Sequence, residues 1–184
     1  ALPAQAGAAN TKLAGIWQYD AAASDDYAAR ITQLIAEQRK RWRARMPRRL
    51  TEAERATQMP DEPPLEADER VRGRPEETMK PAQELAIALQ DGDIEISADG
   101  EPTRSLTPGR TLARMDSSGT AQITAQWSGP MLIVRARYTH RATRAQQYSV
   151  DRRNDLLRVK LQVSDPSFGR MELQSVYRRK PPAT

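Results

Sequence analysis

The side chains able to do chemistry in this sequence are mostly cations. Residues 39 to 49 hold Arg39, Lys40, Arg41, Arg43, Arg45, Arg48 and Arg49, with Trp42 among them and no acid. Tryptophan among arginines is a common interface composition, so the run suits contact with a protein assembly, an anionic membrane surface or a phosphate. It equally suits a solvated helix end whose charges complement the helix dipole. A second set, Arg135, Arg137, Arg158 and Lys160, alternates with apolar residues and so belongs on the outer wall of a sheet. From Thr120 to Thr184 there are twelve basic residues against four acids, a balance of +8 where the whole chain carries +5. Such a wall attracts anionic partners with strong salt dependence. Nucleic acid is not the expected partner, because neither a recognition helix nor an aromatic base-stacking stripe accompanies the charge.

Catalytic arrangements are missing from the pattern. The sole histidine, His140, sits beside Arg141 in a polar connector without a nucleophile signature, and there is no cysteine to form a disulfide, an iron–sulfur cluster or a thiolate zinc site. Asp91, Asp93, Glu95 and Asp99 crowd one hairpin but do not keep the spacing of a calcium loop. No glycine-rich phosphate cradle occurs. No cofactor, no metal and no enzymatic activity are expected.

The elements that would carry these residues are mainly strands. Ala121, Ile123, Ala125 and Trp127 alternate with Thr and Gln, as do Leu132, Val134, Ala136 and Tyr138 with Arg135 and Arg137, and Leu157, Val159, Leu161 and Val163 with Arg158, Lys160 and Gln162. Short strands are expected at 146–150 and 171–178, and a hairpin at 84–97 turns on Asp91-Gly92. Poorer strands are expected at 103–106 and 111–115. Turns of a few residues favour an antiparallel up-and-down meander or barrel of about eight or nine strands, since parallel crossovers need a dozen or more residues. A helix is expected from Ser24, its cap, to Met46, with Tyr27, Ile31, Leu34, Ile35, Trp42 and Met46 on one stripe and Pro47 as its stop. At roughly 34 Å it is longer than a small barrel is wide.

Leu13 to Tyr19 is the first strand, and within it Gly15-Ile16-Trp17 resembles the Gly-x-Trp opening of lipocalin-type barrels. In that family the tryptophan closes one end of the barrel and an arginine from the end of the last strands stacks on it. Arg178 or Arg179, in Val176-Tyr177-Arg178-Arg179, stands where such an arginine is expected, and Arg178 with Trp17 is taken as the closing pair. The resemblance covers the first strand and about the last hundred residues, and it is shared with small exported bacterial proteins of lipocalin-like appearance. It implies a barrel able to carry a small apolar ligand. The long insertion after the first strand departs from the lipocalin plan.

Residues 1–12 are expected to form a flexible tail, 13–19 with 84–180 the barrel, and 20–83 a helical and proline-rich insertion. Within that insertion Thr51 to Glu54 matches a capping box, and Asp61, Glu62, Glu66, Asp68 and Glu69 form an acidic patch. A segment so polar and proline-rich is either disordered or ordered by a partner. No apolar run is long enough to span a bilayer, and Ala4-Gln5-Ala6 has the small-x-small form of a leader cleavage site, so an exported, periplasmic protein is expected. Three functional classes follow. The first is a non-catalytic envelope subunit that docks through its basic residues. A lipocalin-like carrier of a small apolar ligand is the second, although Leu, Val and Ile on the inward faces suit a packed interior equally well. The third, a carboxylate-based hydrolase, ranks below both.

Overall fold

The computed structural model describes residues 10–45, 79–116, 119–139, 141–151, 153, 155–166 and 169–181. Ten strands form one antiparallel sheet: β1 (Gly15–Tyr19), β2 (Glu84–Gln90), β3 (Asp93–Ala98), β4 (Arg104–Leu106), β5 (Thr111–Asp116), β6 (Gly119–Ser128), β7 (Met131–Tyr138), β8 (Thr143–Asp151), β9 (Leu156–Asp165) and β10 (Gly169–Arg179). Their order is β4-β3-β2-β1-β10-β9-β8-β7-β6-β5, an up-and-down wrap that stops short of closure because β4 and β5 do not pair. The count is ten rather than eight or nine because both poorer segments pair, β4 on β3 and β5 on β6. Strand β8 begins at Thr143, three residues earlier than alternation suggested.

Local chemistry explains the hairpins and the long ladders. Asp91 and Gly92 both take positive φ, 52° and 89°, which matches the right-handed twist of the flanking strands and brings Gln90 opposite Asp93. The alternation read in β9 appears as burial of Leu157, Val159, Leu161 and Val163, with Leu161 opposite Leu173 on β10 and Gln146 on β8. Leu13, Trp17, Ile94, Leu132 and Leu157 anchor a shared aliphatic core.

The helix α1 (Tyr27–Arg45) belongs to a second compact unit, Asp26–Lys80, whereas the barrel comprises Ala1–Asp25 and Pro81–Thr184. Ile31, Leu34 and Ile35 are buried, as helical spacing requires. The cap is Asp26 rather than Ser24: its Oδ1 accepts from the backbone N–H groups of Ala28 and Ala29, both at 3.0 Å. Ser24 is committed elsewhere, its Oγ accepting from Val176 N at 2.8 Å and donating to Asp20 O at 2.6 Å. Asp25 joins it, exchanging bonds with the backbone of Gln174, so residues 20–25 extend the edge that β1 presents to β10. The leader-like Ala4-Gln5-Ala6, the segment 47–78 with its capping box and acidic patch, and His140 lie outside the described residues.

Asp20 ties the same corner together through an ion pair with Arg178, Oδ2 to Nε at 2.6 Å. That guanidinium, bonded to the carboxylate, holds the Asp20 carboxyl below the ordinary aspartate range, against a smaller opposing effect of burial. A folded-state value below the unfolded one makes a contribution that is complete above the unfolded pKa, about 3.9, and is lost as pH falls through the folded value. Asp20→Asn is therefore expected to be less stable than the parent in urea melts at about pH 7, with the gap narrowing below about pH 3.9. A gap of the same size at both pH values would show that the ion pair adds nothing.

Candidate functional site: a plugged barrel with an inward arginine

The first end of the barrel is sealed by side chains from both termini of the fold. A 3-10 turn, Thr11–Leu13, precedes β1, and Asn10 Nδ2 donates to Pro130 O at 3.1 Å, so residues 10–12 belong with the barrel rather than with a free tail. Trp17 and Leu13 are completely buried, and Trp17 Nε1 donates to Leu13 O at 3.0 Å. The cation over the indole is Arg179, with its guanidinium carbon 4.1 Å from the ring centroid, and not Arg178. Strand parity decides this. Tyr177 and Arg179 share the inward face of β10 with Trp17 and Tyr19 of β1, whereas Arg178 points outward to Asp20. Arg179 also donates to Ala14 O at 2.8 Å, Lys12 O at 2.7 Å and Asp155 Oδ2 at 2.9 Å, so it is a satisfied structural cation. Gly15 is required here: its φ is +145°, and a Cβ would collide with Arg179 Nη1.

Elsewhere the inward face is apolar and built partly from small residues, Ala98, Ala121, Ala125 and Ala136 among them. Its exception is a polar patch on β8. Arg144 lies opposite Ala136 and Val163, on the same side of the sheet as Tyr148, which lies opposite Leu132 and Val159. Arg144 Nε is buried and has no hydrogen-bond partner among the described residues. Tyr148 is buried, and that burial raises its phenol above the usual range, with the charges of Arg144 and then Arg104 pulling the other way. The phenol therefore stays protonated, a donor within electrostatic reach of Arg144 and, more weakly, of the exposed Arg104. Tyr177 is pushed up as well, by burial first and then by Tyr148, Tyr19 and Asp99. Tyr19 meets Tyr177 edge-on at 5.6 Å between ring centroids.

The expected outer-wall cations separate into two groups. Arg158 pairs with Asp151 at 3.6 Å and Lys160 with Glu172 at 2.5 Å, which neutralises both locally. Arg135 and Arg137 are exposed and make no ion pair among the described residues. Lys40 lies exposed on α1, while the side chains of Arg39, Arg41, Trp42, Arg43 and Arg45 lie outside the described residues. Neither Arg144 nor Arg104 was singled out from the sequence. Counting back from Tyr148 in steps of two, through Gln146, would have put Arg144 on the inward face.

Among the described residues no cluster of three or more His, Cys, Asp or Glu could hold a metal ion, and no helix is long and apolar enough to cross a membrane.

A nearly closed, ten-stranded up-and-down barrel with a helix inserted after its first strand defines the architecture. No family model matches the chain, and no curated protein matches it by sequence. Three solved structures share the fold. A secretory abundant heat soluble (SAHS) protein from Ramazzottius varieornatus has a TM-score of 0.55 at 11% identity, over 92% of this chain and 96% of that one. A mutant of the REP1-NXSQ fatty acid transporter has 0.52 at 12%, over 92% and 98%. Apo lipid binding protein 8 of Caenorhabditis elegans has 0.52 at 6%, over 96% and 100%.

Proposed function

We propose that this protein is a non-catalytic carrier whose barrel takes a small apolar molecule bearing an acidic head. The observation that carries the reading is the buried, unpartnered Nε of Arg144 on an otherwise apolar inward face. A buried donor on a charged group costs stability when it has no acceptor, and a ligand carboxylate would supply one in a charge-assisted bond. Tyr148, on the same face of β8, adds a protonated hydroxyl within electrostatic reach of Arg144. Barrels of eight strands already hold one small ligand or fill with side chains; ten strands, several presenting alanine inward, leave more room. Two of the similarly folded proteins are named for fatty acid transport and lipid binding, which favours this reading over docking through the basic wall alone.

The test uses cis-parinaric acid, a fluorescent fatty acid, and its methyl ester. The acid is expected to gain fluorescence on titration with the full chain, and the ester, which lacks the anionic head, to bind at least about tenfold more weakly. No enhancement with either probe would overturn the reading, and equal binding of both would remove the role of Arg144.

A further inference from the structure

The same sheet holds a cleft lined mainly from its outer wall, which also reaches Ala136, Arg144 and Val163. Strands β5 to β10 line about 540 Å³, within the range of small-molecule clefts, about 300–1,000 Å³, mostly with outward side chains. One cross-strand row runs through it: Arg137 lies opposite Thr143, Thr143 opposite Ser164, and Ser164 opposite Arg170. Two guanidinium groups therefore flank two hydroxyls along a line about 14 Å long across four strands. Arg135, two residues from Arg137 on β7, adds a third cation, and Gln122 and Gln162 add amides. All three arginines are exposed and form no ion pair among the described residues. The nearby acid, Glu172, is already held by Lys160 at 2.5 Å and by Gln162 Nε2 at 2.8 Å.

We infer that this cleft binds a segment of an acidic polysaccharide. The cations match carboxylates spaced along a chain, and the intervening hydroxyls and amides, which both donate and accept, match sugar hydroxyls between them. Other anions fit less well. A single-stranded nucleic acid would want aromatic side chains for its bases, and the described lining has none. A bilayer surface would be met by large apolar side chains able to insert, whereas the lining here has only Ala136, Ala145 and Val163 among arginines, hydroxyls and amides. Arg144 borders this cleft as well, so Arg137 and Arg170, which the carrier reading does not use, are the residues that tell the two sites apart.

Affinity electrophoresis of the full chain at low ionic strength, through gels containing polygalacturonate or neutral dextran, tests the assignment. Retardation is expected in polygalacturonate and not in dextran. The double variant Arg137→Gln/Arg170→Gln is expected to weaken it about tenfold, and Thr143→Ala/Ser164→Ala about threefold. Thermal melts should be unchanged in both, because these side chains are exposed. Absence of retardation, or retardation unaffected by the arginine changes, would overturn the assignment. So would retention that ignores Thr143 and Ser164 and is competed equally by phosphatidylglycerol vesicles, since the wall would then read charge on a membrane. Loss of binding on Arg39→Gln/Arg41→Gln/Arg43→Gln, with the cleft variants unaffected, would move the site to α1.

Discussion

Trp17→Ala is expected to lower the unfolding free energy by about 3–5 kcal/mol, the largest effect of any single change in the barrel. The indole is completely buried, and its removal opens a cavity under the barrel end. Three further interactions go with it: the Nε1–H to Leu13 O bond, the packing of the Thr11–Leu13 turn, and the Arg179 guanidinium above the ring. Arg179→Ala should cost less than Trp17→Ala but more than a surface change, because it leaves the carbonyls of Lys12 and Ala14 without their donors. Gly15→Ala should resemble Arg179→Ala, since the added methyl displaces the same guanidinium and its φ is unfavourable for a side chain. Arg178→Ala is the comparator. Its ion pair with Asp20 is at the surface, and such pairs contribute about 0–1 kcal/mol. Urea denaturation of the four variants, and of the Trp17/Arg179 double variant, measures both the ranking and the coupling. If Arg178→Ala proves as costly as Arg179→Ala, the end plug is not built as described.

The one-residue difference between Arg178 and Arg179 shows where a sequence stops informing about a barrel. Alternation in β6, β7 and β9 was legible because three or four apolar residues in each hold strict period two, and the core they form follows from that pattern. Parity in β10 is harder to read, because Val176 and Tyr177 are consecutive and both buried. Val176 lies under the Ser24 and Asp20 corner, a long-range contact that alternation does not encode. Ser24 misled for a related reason: serine is a good helix cap, but a hydroxyl that satisfies β10 is unavailable to the helix, and Asp26 takes its place. Arg144 was obscured by its type. An arginine reads as a connector residue until the register places it opposite Ala136 and Val163. The cleft row is less visible still, because Arg137, Thr143, Ser164 and Arg170 come from four strands and become neighbours only through pairing.

Arg144→Leu is expected to move stability and ligand binding in opposite directions. In the free protein its buried Nε has no acceptor, and an unsatisfied buried donor costs about 1–3 kcal/mol. Leucine removes that donor and the charge beside Tyr148, so the free variant should be as stable as the parent or more stable by up to about 2 kcal/mol. In the complex the same guanidinium would meet the ligand carboxylate, a charge-assisted bond of about 1.5–3 kcal/mol, so affinity for cis-parinaric acid should fall by about 10- to 150-fold. Affinity for the methyl ester should hardly change, which separates loss of the head-group contact from damage to the barrel. Arg144→Lys keeps the charge but not the planar fork and should fall between. Tyr148→Phe removes one neutral donor, worth about 0.5–1.5 kcal/mol, and should weaken the acid by about 2- to 12-fold. A purely structural arginine would give the reverse result, with Arg144→Leu unfolding more easily and acid and ester affinities moving together. Opposite signs in the melt and in the titration mark Arg144 as held in place for a ligand, with the aliphatic wall of β6 to β9 supplying the fold that keeps it buried.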